Sequence, residues 1–228
     1  MIKGLVLLLV ITCLISFVAV AEDGNEQALQ AKPSVFVGTA PGCAPFPPGS
    51  NIVTSAWLAG LGLPDDGTSN VTPSTPPNRD PHFGLLLSKN GSTADCSAAQ
   101  ATITGAKGQV LTELGFDYRN GGHCGAGAPR FNVATNVMTH FFGCADGTPS
   151  QAPQDPLQWT RVRFTLAQGA PPAAAGEIIQ SIGIVYDEGT DTPSAQDPNG
   201  IGLAVIDNID VNGKLITRGP NDRKENND

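Results

Sequence analysis

Charged and aromatic side chains are both scarce in this 228-residue chain: 15% of residues are charged, 6% are aromatic, and there are three histidines. So few histidines leave little room for a catalytic triad, and no Gly-x-Ser-x-Gly elbow is there to present a serine nucleophile. No segment holds an apolar 3.6-residue period over three turns, which argues against a helical fold. After the first 21 residues no apolar run reaches the roughly 20 residues needed to span a bilayer, so membrane insertion is not expected. Basic residues are also in the minority, 13 against 21 acidic ones, for a net charge of −8. Nucleic acids and anionic membranes are held by neutralising phosphates, so neither is an expected partner.

What is present begins with an export pattern. Lys3 supplies a positive n-region, residues 5–11 and 14–18 an apolar core, and Ala19-Val20-Ala21 a small-x-small cleavage site. Residues 1–21 are therefore expected to be a signal peptide, and the remainder a secreted protein, extracellular or periplasmic. Cys13 leaves with the signal. Cys43, Cys96, Cys124 and Cys144 remain, an even number in an oxidising compartment, which suggests two disulfides. Three pairings are possible. Cys124–Cys144 is favoured because a hairpin between them would bring its ends together, leaving Cys43–Cys96; each bridge would contribute about 2–4 kcal/mol.

The 27 glycines and 19 prolines punctuate short apolar stretches. Residues 22–48 read as a partly ordered leader with one apolar stretch, Val35-Phe36-Val37, and residues 218–228 as a polar tail. Residues 64–81 are dense in Pro, Asp, Asn, Ser and Thr, which suits a long surface loop. The clearest strand is 109–119, where Val110, Leu114, Phe116 and Tyr118 alternate with Glu113, Asp117 and Arg119. Further strands are expected at 83–88, 101–104, 130–135, 138–144, 160–166, 178–187 and 202–211, with a short helical turn within 94–100. Eight or so short strands between Gly/Pro turns point to one all-β domain over 49–217, an antiparallel β-sandwich.

The stretch Gly202-Leu203-Ala204-Val205-Ile206-Asp207-Asn208-Ile209-Asp210-Val211 resembles the closing strand of galactose-binding-like jelly rolls, a fold used by many carbohydrate-binding modules. The block from Leu111 to Arg119, continuing to Phe141-Phe142-Gly143-Cys144, is similar to a group of secreted bacterial proteins with no assigned activity. The resemblance implies a jelly-roll sandwich, and a structural Ca²⁺ held near the first and last strands, with Asp207 at the acidic position of the pattern. Asp187 and Asp191, in a loop rich in hard oxygen donors, are the additional calcium candidates.

The candidate ligand face follows from strand alternation. With Val110, Leu114 and Phe116 inward, Glu113, Asp117 and Arg119 point outward. Arg130 and Asn132 alternate against Phe131 and Val133, and Arg161 and Arg163 against Val162 and Phe164, with Trp159 in phase with the arginines. If these strands are neighbours, they form a patch of carboxylates, guanidinium groups, an amide and one large aromatic ring, which is what a sugar requires. The competing reading is a solvated face laced with cross-strand ion pairs. As an acid/base pair, Glu113 and Asp117 are unsuited, being roughly 13 Å apart along one strand. Nor do His123, Cys124, His140 and Cys144 match a common zinc spacing.

The expected function is thus a non-catalytic module binding carbohydrate or a cell-surface ligand. A structural or adhesive protein using the sandwich as a protein–protein surface is the alternative, and a glycan-active hydrolase the third. An exposed Trp159 would favour the first, and a buried Trp159 the second.

Overall fold

A computed structural model of the protein describes residues 28–38, 52–64 and 82–218. The expected signal peptide, Cys43, most of the 64–81 loop and nearly all of the polar tail lie outside the described residues.

Among the described residues twelve strands make two antiparallel sheets. In chain order they are β1 (Gln30–Val37), β2 (Ile52–Ala59), β3 (Phe83–Asn90), β4 (Ser97–Thr104), β5 (Leu114–Arg119) and β6 (Arg130–Thr135). Then follow β7 (Thr139–Gly143), β8 (Thr148–Gln151), β9 (Trp159–Phe164), β10 (Ile179–Tyr186), β11 (Leu203–Val211) and β12 (Lys214–Ile216). The five-stranded sheet runs β1-β4-β10-β6-β7. The seven-stranded sheet runs β2-β3-β11-β5-β9-β8, with β12 also paired to β11. The fold is all-β and layered, as the punctuation by Gly and Pro predicts.

Between the sheets lies the core. Leu85 and Leu87 of β3, Phe116 and Tyr118 of β5, Phe131 and Val133 of β6, and Ile182 and Ile184 of β10 all point inward and are buried. Phe116, Phe131 and Phe164 meet at its centre with ring centroids 5.7 to 6.0 Å apart. Each such ring is worth about 1.5–3 kcal/mol on leaving water. The inward phase read from the alternation of β6, β9 and, from Leu114 onward, β5 is the observed one; Val110, expected inward, is 46% exposed because it lies before the paired part of the strand, and Leu111 is buried in its place. Trp57 is also core, donating its indole N–H to the Ala31 carbonyl at 2.9 Å and so tying β2 to β1 across the sheets.

Four strands escape the alternation pattern: β1, β2, β8 and β12. Two of them carry a proline, Pro33 in β1 and Pro149 in β8, and both are edge strands, where a missing N–H breaks no ladder. Every residue of β8 is exposed, so no apolar period marks it. β1 lies within the segment read as a leader. The expected 109–119 strand is paired as a strand only from Leu114; Val110 makes a single bridge to Ile178. The helical turn occupies Thr93–Asp95, and β4 already begins at Ser97.

One disulfide is described, Cys124–Cys144, joining the turn after β5 to the end of β7. It encloses β6 and β7, the hairpin anticipated between the two cysteines.

Candidate functional site

The sandwich has two outward faces, and they are built differently. The eight expected ligand-binding residues divide between them. Asp117, Arg119, Trp159, Arg161 and Arg163 belong to the seven-stranded sheet, with Glu113 just before its β5, whereas Arg130 and Asn132 lie on β6 of the other sheet.

On the seven-stranded sheet β5 and β9 are neighbours, and their register sets Asp117 opposite Arg161. Arg161 donates Nε–H and Nη2–H to the two Asp117 oxygens at 2.8 and 3.0 Å. Arg163 Nη1 approaches the same carboxylate at 3.7 Å, and its Nε meets Asp210 Oδ2 at 3.2 Å. A bulge in β11 between Asp207 and Asp210 puts Asn208 at φ 45°, a conformation asparagine tolerates. From there its amide donates to Asp117 Oδ2 at 2.8 Å and to Gln154 Oε1 at 2.6 Å. Asp117 is consequently fully buried although it points away from the core. Burial lowers the Arg163 guanidinium from its ordinary range and raises the Asp210 carboxyl.

Beside this network the same face is dry. Trp159 is 0% exposed and packs with Leu63, Ala152 and Val205, flanked by Leu61, Leu86 and Leu203. The segment 60–64 crosses the sheet as a strap. It lies flat because Gly84 beneath it has no side chain; a Cβ there would fall 2.7 Å from the Leu61 carbonyl carbon. Asp207 pins the strap, accepting the Leu63 N–H on Oδ2 and the Asn208 N–H on Oδ1, both at 2.7 Å. Trp159 is thus the centre of a second small core and not an exposed platform.

Among the described residues, nothing covers the outer face of the five-stranded sheet. One row across it, set by the strand registers, is Lys32, Thr102, Gly183, Asn132 and Phe141; the next is Ser34, Gln100, Val185 and Arg130. Adjacent strands are about 4.8 Å apart, so a five-strand row spans roughly 19 Å. Gly183 lies between Thr102 and Asn132 and places no side chain there. A groove of about 320 Å³ runs along the face, lined by Phe36, Gln100, Arg130, Asn132, Val185 and Asp187 among others. Phe36 and Phe141 are 53% and 39% exposed.

Arg130 organises the groove. It forks onto Asp187 (Nη1–Oδ1 2.5 Å, Nη2–Oδ2 2.7 Å), donates Nη1–H to the Gly127 carbonyl and Nε–H to Asn132 Oδ1 at 3.0 Å. Its guanidinium also lies 5.9 Å from the Phe141 ring centre. Of five guanidinium N–H groups one is left over, and the Asn132 oxygen is spent while its NH₂ has no partner among the described residues. The face therefore offers planar, pre-oriented donors next to a carboxylate and two aromatic rings.

The calcium candidates do not converge. Asp187 gives both oxygens to Arg130, Asp191 accepts the Thr93 amide and hydroxyl at 2.7 and 2.9 Å, and Asp207 pins the strap. Each is engaged by protein donors, Asp191 through Oδ1 alone, and no group of three or more metal-ligating side chains occurs among the described residues. Cys124 and Cys144 are joined to each other, while His140 pairs with Glu177 at 2.7 Å and His123 with Glu188 at 2.6 Å.

Sequence reasoning overlooked Gln100, Gly183, Phe36 and Phe141. The alternation of β7, with His140 and Phe142 inward, could have placed Phe141 outward. Nothing local could have placed Phe36 beside Arg130, since β1 reaches that face through its pairing with β4. Comparison with protein-family models, with curated proteins and with solved structures returns no match for this chain.

Proposed function

We propose that this chain is an exported, non-catalytic binding module of the jelly-roll type, akin to galactose-binding-like domains, whose open five-stranded face receives carbohydrate or another polyhydroxylated cell-surface ligand. The observation that carries the reading is the groove around Arg130. Sugars are recognised by planar groups that hydrogen-bond paired hydroxyls and by rings that cover their C–H faces. The Arg130–Asp187 fork and the Asn132 amide supply the former; Phe36 and Phe141 supply the latter. Because Arg130 is already held by three partners, little ordering entropy remains to be lost on binding.

The test is a glycan and polysaccharide array probed with the purified chain, beside a double variant Asn132→Ala, Phe141→Ala. Saturable binding that weakens at least tenfold in the double variant is the expected result. Binding by neither protein, with both shown to be folded, would sink the carbohydrate reading. A second reading, a structural or adhesive protein, is favoured by one specific observation: Trp159, the largest aromatic expected at the ligand face, is wholly buried. Self-association or adhesion unaffected by the double variant, without glycan binding, is what that reading requires.

A further inference from the structure

At one end of the sandwich three turns enclose a pocket of about 490 Å³. Its walls come from the turn after β5, the segment after β7 and the loop after β10. The Cys124–Cys144 bridge, Cα–Cα 5.1 Å, fastens the first two walls. Ser194 secures the third, its hydroxyl accepting the Cys124 and Asp197 amides at 3.3 and 3.1 Å. Small and apolar groups predominate, with Tyr118, Pro193 and Gln196 among them; Glu188 is the single acid or base in the lining.

Glu188 is held by an arrangement that serves no strand pairing. Its Oε2 meets Nε2 of His123 at 2.6 Å, and His123 is completely buried. The other imidazole nitrogen, Nδ1, has no hydrogen-bond partner among the described residues and faces Asp197 Oδ2 at 3.7 Å. Tyr186 stands edge-on to the imidazole, ring centroids 5.7 Å apart, and its buried hydroxyl is likewise unpartnered. Burial, then the nearby Asp197 and Glu188 carboxylates, pushes the Tyr186 phenol up. The backbone is wrapped closely around the Glu188 carboxylate: a Cβ at Gly125 would fall 2.5 Å from Oε2, and one at Gly127 would collide with Oε1.

The charges do not balance. Even were His123 an imidazolium, Glu188 and Asp197 would carry one negative charge more than the cations paired with them among the described residues. Arg130, the cation at the start of β6, is taken by Asp187. A rigid pocket with one fixed carboxylate beside apolar walls and a phenol suits a cation on an alkyl stem. We propose that this pocket binds a primary alkylammonium group, with Glu188 as the counter-ion and His123 and Asp197 holding Glu188 in place. The ammonium belongs either to a lysine side chain of a partner or to a free polyamine. The pocket is distinct from the groove on the five-stranded sheet, and the inference does not depend on a carbohydrate ligand.

Titration of the full chain with n-butylammonium, followed by nuclear magnetic resonance of the His123 ring and the 122–127 amides, tests this. Saturable shifts at those positions are expected, at least tenfold weaker in Glu188→Gln and suppressed by salt, with neutral n-butanol producing none. Equal affinity in Glu188→Gln, no saturable shift in the unaltered chain, or shifts from n-butanol matching those of the amine would each overturn the proposal. The n-butanol and salt comparisons use the unaltered chain, so they decide the matter even if the variant fails to fold. Tighter binding of a capped lysine amide than of spermidine assigns the source to a protein partner; the reverse order assigns it to a free polyamine.

Discussion

The two outward faces of the sandwich start from the same alternating strands and end as different surfaces. On the seven-stranded sheet, a glycine under the strap and an aspartate pinning it allow 60–64 to close over Trp159, and the polar residues beside it neutralise one another. On the five-stranded sheet no strap among the described residues crosses the groove around Arg130, and two phenylalanines are exposed. An outward position is therefore not equivalent to an exposed one. Whether a face is available to a ligand depends on what the connecting segments do after the strand has ended.

The comparison can be broken where its two halves should respond most unequally. Trp159→Ala empties the covered face and should cost about 3–5 kcal/mol, whereas Phe141→Ala on the open face should change stability by about 0.5 kcal/mol or less. Urea denaturation of both variants measures the contrast, and similar losses would mean that the two faces are not distinct. Asp117→Ala comes next. It leaves Arg161, Arg163 and Asn208 without their shared acceptor and should cost about 2–3 kcal/mol. That is below the figure for a fully buried pair, since the arginine side chains keep 24% and 27% exposure. Asp187→Ala, which frees Arg130 on the open face, should cost about 1 kcal/mol or less by the same urea denaturation.

A pH series sharpens the comparison with a group beneath neither face. Glu177 is buried, and the Thr135 hydroxyl, the Ala174 amide and His140 hold its carboxyl below the ordinary value of 4.5. A depressed folded value means that the unfolded chain takes up the proton first. The stabilisation is therefore present above the ordinary value and is lost as pH falls through the folded one. Stability measured from neutral pH downward should show this acid limb, and Glu177→Gln should flatten it. An unchanged limb would remove Glu177 from the account. The smallest effect belongs to Asn132→Ala, with no measurable change in melting temperature but a loss in the array experiment.

Much of the local design was legible. The period of two in β5, β6 and β9 placed Phe116, Phe131 and Phe164 inward and their polar neighbours outward, because a pleated strand turns successive side chains to opposite faces whatever it pairs with. The Cys124–Cys144 bridge was readable because its cysteines flank a hairpin. The expected ligand face was only partly so. Asp117, Arg161 and Arg163 do meet, but Arg130 and Asn132 share their outward phase while sitting on the opposite side of the molecule. Alternation carries no information about which sheet a strand joins. Trp159 was misplaced for a related reason: its phase is outward, and the leucines that cover it lie almost a hundred residues earlier.

By itself, then, the sequence determined the class of fold, the inward set of β5, β6 and β9, and the one bridge the structure describes. All of these follow from chemistry that acts over a few residues. Only the tertiary structure decided strand order, the covering of Trp159, the pairing of Arg130 with Asp187 and the seating of Glu188 on His123. The Arg130–Asp187, His123–Glu188 and Leu63–Asp207 contacts join residues 57, 65 and 144 positions apart. Closing long loops is an entropic cost met collectively by the whole core, so no local pattern can announce which distant segments will meet.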